Sequence, residues 1–111
     1  MLPSKTLELL HYLTADGKSP FAVWFEGLDA IASAKVSRAL VRLEQGHMSN
    51  VKSVGEGVLE YRIHWGPGYR VYFGRDGHVL VILLTGGTKQ RQQKDIQSAK
   101  ECWADYKKRR R

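Results

Sequence analysis

Glu60, Arg62 and His64 fall two apart in the stretch Glu60-Tyr-Arg-Ile-His64. On an extended strand all three point to one side, while Leu59, Tyr61 and Ile63 take the other. Gly66-Pro67-Gly68 then supplies a turn, and the returning strand alternates Tyr69, Val71 and Phe73 with Arg70 and Tyr72. A sheet face with arginines, an imidazole and a carboxylate at its centre costs stability unless something anionic meets it. Guanidinium groups at Arg62 and Arg70 suit a phosphate whose negative charge grows during reaction. Imidazole changes charge near neutrality, which suits His64 to proton transfer. The plain alternatives are a sheet-surface Arg62 paired with Glu60 and a surface His64 at a strand edge. Glu60 is a base or, more simply, the partner that orients Arg62.

Lys89 follows Gly86-Gly87-Thr88 at the opening of a helix, where free backbone N–H groups and the dipole favour anions. The stretch is not a phosphate-binding Walker loop, which needs an earlier glycine and a Lys-Ser/Thr order. Lys94 is either a further functional cation or a solvated helix face. Trp65, beside the turn, is a ring on which a base stacks or a packing residue. His11, His47, His64 and His78 have no metal-ligand spacing and Cys102 is the only cysteine, so no metal site is expected. No Ser/His/Asp order or paired-carboxylate pattern stands out.

The elements that must position these groups are legible in the periodicity. Thr6 to Leu13 reads as a first strand, with Leu7, Leu9 and His11 on one face, before a turn at Asp16-Gly17. Ser19-Pro20 is a helix start, followed by the apolar stripe Phe21, Trp24, Phe25 and Leu28 at i, i+3, i+4 and i+7. Asp29 caps a second helix with the stripe Ala32, Val36, Ala39, Leu40 and Leu43; Arg42 in its last turn and Gly46 just beyond suit its end. From Val51 the period becomes two. Arg75-Asp76-Gly77-His78 is a hairpin turn; with Asp76 and Gly77 as the turn residues, Arg70 lies opposite Leu83 and Tyr72 opposite Val81. Val79 to Leu84 is apolar on both faces and belongs inside the sheet, with Gly86-Gly87-Thr88 ending the strand. Lys89 to Tyr106 reads as a last helix with Ile96, Ala99, Trp103 and Tyr106 inward. The order β, α, α, three antiparallel strands, α makes an α+β domain over residues 1–106, with a basic tail at 107–111.

The chain has 111 residues and a formal charge of +7, five of whose positive charges lie in Lys107–Arg111, so the remaining body carries only +2. A basic balance favours polyanionic partners. The tail is by default a frayed, solvated terminus, or else adds salt-sensitive affinity for RNA or binds acidic segments of a partner. A hydrophobic content of 42% excludes a disordered chain. No apolar run reaches the length of a membrane span, and Met1-Leu-Pro-Ser-Lys is followed by no apolar signal region. One cysteine permits no intramolecular disulfide, and a reducing cytoplasmic location is expected.

Several stretches together resemble the RelE/ParE superfamily of toxin–antitoxin toxins, in its branch of HigB-like, phage-derived addiction-module killer proteins. They are Phe21-Ala-Val-Trp24, Arg38-Ala-Leu-Val-Arg-Leu43, Val51 to Gly57, Glu60-Tyr-Arg62, Gly66 to Phe73, and Gly86-Gly-Thr-Lys89 with Gln92-Gln-Lys-Asp-Ile96. The resemblance spans roughly residues 5–106. It implies a small antiparallel sheet flanked by an N-terminal helical hairpin and a C-terminal helix, with no cofactor or metal. It further implies an endoribonuclease that cuts mRNA, usually on the ribosome, by attack of a ribose 2′-hydroxyl on the adjacent phosphate.

By motif, the family's cationic pair before the Gly turn falls on Arg62 and His64, its Tyr-Arg arginine on Arg70, and its basic residue after the last strand on Lys89. Lysine at that last place lacks the planar fork of the usual arginine. Lys94-Asp95 stand where the best-known ribosome-dependent member carries a tyrosine, and no histidine follows His78 to match the C-terminal catalytic histidine of some relatives. The implied catalytic set is Arg62, His64, Arg70, Lys89 and Lys94, with Trp65, Tyr69, Lys52 and Arg91 as RNA contacts. The implied partner is a cognate antitoxin, commonly a helix-turn-helix protein encoded by the neighbouring gene. Two alternatives share the fold: a ParE-type inhibitor of DNA gyrase, which lacks the cationic set, and a non-catalytic module that only binds its antitoxin.

Overall fold

A computed structural model describes residues 6–110; the leader reading of Met1–Lys5 and the last tail residue, Arg111, lie outside them. Strand β1 (Glu8–His11) precedes helices α1 (Pro20–Glu26) and α2 (Ala30–Glu44). Strands β2 (Val51–Gly55), β3 (Val58–Ile63), β4 (Tyr69–Asp76) and β5 (Leu80–Thr88) follow, and a short 3₁₀ turn (Lys89–Arg91) leads into α3 (Gln92–Arg109). The strands form one sheet in the order β1-β5-β4-β3-β2, and the fold is α+β as expected. Among the described residues no helix is long and apolar enough to cross a membrane.

The helix signals act as their chemistry dictates. Ser19 Oγ accepts from the Ala22 amide at 3.0 Å with Pro20 in the first helical position, and Asp29 Oδ1 accepts from the Ala32 amide at 2.8 Å. Each satisfies an amide that the first turn leaves without a helical partner. At the end of α2, Gly46 takes φ +85°, and the amides of Gly46 and His47 donate to Leu43 and Arg42 carbonyls, a Schellman closure.

The sheet differs from the expected three antiparallel strands in two ways. First, four antiparallel strands follow α2, because Val51–Ile63 folds back on itself. The two turn residues, Glu56 and Gly57, both have positive φ, 55° and 83°. That is the geometry matched to strand twist, and glutamate is a poor signal for it. Second, β1 is an edge strand parallel to β5, with Leu9 beside Val81 and His11 beside Leu83.

The β4–β5 register also departs from expectation. Arg70 is opposite Gly87 and Tyr72 opposite Thr85, rather than Leu83 and Val81. A longer turn after Asp76 and a bulge between Tyr72 and Phe73 produce the offset. β5 accordingly runs through Gly86 and Gly87 instead of stopping there.

Two cores lie on opposite faces of the sheet. Phe21 of α1 and Val36, Ala39 and Leu43 of α2 pack on Tyr61, Val71, Phe73, Val81 and Leu83. On the other face Ala99 and Trp103 of α3 pack on Val58, Tyr72, Ile82 and Leu84. Each fully buried large apolar side chain contributes about 1.5–3 kcal/mol. α3 runs three residues past the expected end at Tyr106, into the segment read as tail. There Arg109 pairs with Asp105 at 2.8 Å and Arg110 with Asp76 at 2.6 Å, so this part of the tail is docked, not frayed.

Candidate functional site

Strand alternation places Glu60, Arg62, Arg70 and Tyr72 on the α3 face of the sheet, with Arg62 directly opposite Arg70 and Glu60 opposite Tyr72. The face is not an open cationic surface. Glu60 is fully buried and Arg70 is 7% exposed, because the first turn of α3 closes over them. Arg62 Nε donates to Glu60 Oε1 at 2.8 Å, and Gln92 Nε2, from α3, donates to Oε2 at 2.8 Å. Arg70 Nε lies 3.8 Å from the same Oε2, while Arg70 Nη1 donates to the Gly68 carbonyl at 2.8 Å. Two guanidinium groups thus share one carboxylate, and the cluster keeps a net positive charge. Burial pushes the Glu60 carboxyl up, but hydrogen bonds from Arg62 and Gln92, the neighbouring Tyr72 hydroxyl and the Arg62 charge outweigh it and hold the group below the usual range.

The Gly68 carbonyl also accepts from the Lys89 amide at 2.9 Å, which pins the β3–β4 turn to the end of β5. The result is a cleft of about 560 Å³ lined by Arg62, His64, Trp65, Arg70, Lys89 and Gln92 together with the turn. Four of the five expected catalytic residues therefore converge. Arg62, with its side chain 35% exposed, presents donors to solvent, whereas Arg70 supplies charge from the cleft wall. His64 lies just past the end of β3 and is exposed, so it is not level with Glu60 and Arg62 on the strand. Lys89 is exposed at the start of the 3₁₀ turn.

The remaining expected residues are placed around this cleft. Lys94 and Arg91 line an adjoining depression with Lys89 on the outer side of the α3 start. Lys52 is exposed on β2, opposite Glu60. Trp65 and Tyr69 stack at 6.1 Å with an interplanar angle of 20°, and Tyr69 meets Trp24 edge-on at 6.3 Å. Tyr69 therefore backs Trp65 from the α1 side and does not line the cleft.

Three participants were not among the expected site residues: Gln92 and Asp95, although both lie in the Gln92–Ile96 stretch that carries the resemblance, and Tyr72, although it shares the Arg70 strand face. Asp95 lies over Gly87, where a Cβ would overlap its carboxylate, while on the opposite face Trp24 fills the space beside Gly86. The two glycines are thus close-approach positions inside β5. Burial pushes Asp95 up despite the Arg91 charge, and burial first, then the Glu60 charge, drives the Tyr72 phenol above the ordinary tyrosine range. Among the described residues no hydrogen-bond partner reaches Arg70 Nε, the Tyr72 hydroxyl or Asp95 Oδ2, all of them buried, so three polar atoms with open hydrogen-bonding capacity gather under the α3 start. Among the described residues no cluster of three His, Cys, Asp or Glu groups could hold a metal ion.

The family model of the phage-derived Gp49-like proteins (DUF891) matches residues 23–103, which take in the end of α1, all of α2, the site strands and most of α3. A Haemophilus influenzae protein described only as uncharacterized is 46% identical over 81 residues, covering 72% of this chain and 82% of that relative. With the matched stretch carrying the Glu60–Arg62–Arg70 cluster, Lys89 and the α3 start that closes over them, this chain belongs to the Gp49-like family, a RelE/ParE-like toxin family.

Proposed function

We propose that this chain is the toxin of a type II toxin–antitoxin system, of the HigB-like addiction-module killer branch, and that it is a metal-independent endoribonuclease cutting mRNA on the ribosome. The observation that carries the reading is the sharing of Glu60 by Arg62 and Arg70 beside a cleft that also takes in His64 and Lys89. A single buried carboxylate fixes two guanidiniums without cancelling them, which is preorganised positive charge aimed at one small volume.

In the reaction a ribose 2′-oxygen attacks the adjacent phosphorus. The P–O2′ bond forms and the P–O5′ bond breaks, leaving a 2′,3′-cyclic phosphate and a 5′-hydroxyl. Arg62 and Lys89 contact the phosphate oxygens and Arg70 stabilises the added negative charge from behind. His64 takes the 2′-proton, and Lys94, from the adjoining depression, gives a proton to the departing 5′-oxygen. Trp65 stacks on a neighbouring base, and Lys52 and Arg91 flank the strand. A helix-turn-helix antitoxin holds the protein inactive in the cytoplasm.

Expression of the chain without its antitoxin tests this. Mapped 5′-hydroxyl ends near codon boundaries are the expected result, with an Arg62→Ala chain lowering the cleavage rate about 10²–10³-fold, the usual cost of one charge-stabilising donor. Intact mRNA with trapped gyrase–DNA breaks would reassign the chain to gyrase poisoning, and unaffected growth with intact RNA would leave a binding module.

A further inference from the structure

The cations of α2 take no part in the cluster described above. Lys35, Arg38 and Arg42 lie at i, i+3 and i+7, on one face of the helix. Glu44 is the only acidic residue α2 contains, and among the described residues no carboxylate lies within 4.0 Å of any of the three. They do not simply face solvent. All three line a groove of about 270 Å³ whose opposite wall is Arg62, His64 and Trp65, the end of β3. Lys35 Nζ stands 5.5 Å from the Trp65 ring centre. Arg62, His64 and Trp65 line the α3-side cleft as well, so the end of β3 is a ridge shared by two cationic depressions.

We infer that this α2 groove is a second binding segment for single-stranded RNA, gripping the phosphate backbone beyond the nucleotide held at Arg62 and Lys89, with Trp65 as the stacking platform between the two segments. The inference rests on the ribonuclease reading and extends it from one phosphate to a strand. Three cations that no carboxylate neutralises among the described residues, along a helix face about 10 Å long, are a match for successive phosphates. An aromatic ring between two cationic stretches is the recurring arrangement for single strands, with bases on the ring and backbone on the charges. An acidic peptide matches the charge, whereas a base also extends the stack that Trp65 makes with Tyr69.

The test uses the full-length chain and an oligoribonucleotide of about twelve residues, 2′-O-methylated so that it cannot be cut. Binding is followed by fluorescence anisotropy across a salt series, for the wild type and for Lys35→Gln/Arg38→Gln/Arg42→Gln. Glutamine keeps helix propensity, and an unchanged melting curve verifies the fold. Three lost phosphate contacts reduce the log–log salt slope by about 2, since each contributes roughly 0.7 on a single strand. The affinity ratio of wild type to variant therefore shrinks about 20-fold between about 50 and 200 mM salt.

An unchanged slope in the folded variant, with the wild type still binding, overturns the groove assignment and leaves the cleft reading intact. A wild type with no salt-dependent binding overturns both. An oligoglutamate peptide of equal charge that binds the wild type as tightly as the RNA, and loses as much in the variant, overturns the RNA assignment in favour of a protein partner.

Discussion

Replacing Glu60 by glutamine removes one charge and almost no volume from the centre of the α3 face, so its effect can be worked from contacts already described. The carboxylate is fully buried, accepts from Arg62 and Gln92 at 2.8 Å each, and stands 3.8 Å from Arg70 Nε. An amide retains one acceptor oxygen but turns an NH₂ group toward one of those donors. Arg70, 7% exposed, is then left without its counter-charge. Removing one partner of a buried pair costs about 3–5 kcal/mol; Arg62 reaches solvent and is discounted, which favours the lower end. A loss of about 3 kcal/mol corresponds to a Tm lower by about 12 °C in a chain of this size.

The pH dependence gives a second reading of the same group. The folded-state pKa of Glu60 is depressed. Its contribution is therefore complete above the unfolded value, about 4.3, and is lost as pH falls through the folded value. The stability gap between wild type and Glu60→Gln is constant above about pH 4.3 and closes below it. Urea melts of both chains from neutral to acid pH measure the gap. Adding Arg70→Met to Glu60→Gln removes the stranded charge and restores at least half of the loss. A single-variant cost under about 1 kcal/mol, or no recovery in the double variant, refutes the view that one carboxylate clamps both arginines.

Other perturbations have equally specific outcomes. Gly87→Ala drives a Cβ into the Asp95 carboxylate and lowers stability by about 1–3 kcal/mol, most of which returns in Gly87→Ala/Asp95→Ala; denaturant midpoints read both. Asp29→Ala removes the cap on the Ala32 amide and costs about 1 kcal/mol while Asp29→Asn costs only tenths, again by denaturant midpoint. Tyr106 donates to Asp76 at 2.7 Å, and burial first and that bond second push its phenol up to about 12. A raised pKa contributes stability below the unfolded value, about 10, that is lost as pH rises through about 12. Tyr106→Phe abolishes that alkaline loss, which melts across the range detect.

Local chemistry was well legible. Ser19 and Asp29 start their helices by accepting from amides three residues on, Pro20 by lacking an N–H that would need a partner, and the stripes Phe21–Leu28 and Ala32–Leu43 pack inward as their spacing requires. These are interactions over one or two helical turns, and the chain alone carries their geometry. The β2–β3 turn was missed because Glu56 adopts a positive φ that its residue type does not advertise. The β4–β5 register was missed because a bulge and a lengthened turn both shift pairing without changing the hydrophobic pattern.

For the candidate site, sequence by itself determined which cations occur and which share a strand face: Arg62 with Glu60, and Arg70 on the returning strand. It also determined the membership signature carried from Phe21 to Ile96. Only the tertiary structure decided that Glu60 is buried and shared, that Gln92 and Asp95 close over the strands, and that Lys89 is tied to the Gly68 carbonyl. Only there does α2 bring Lys35, Arg38 and Arg42 across from Trp65. The reason is physical: alternation and capping are set by neighbours along the chain, whereas the charge state and exposure of a side chain are set by whatever a distant element lays on top of it.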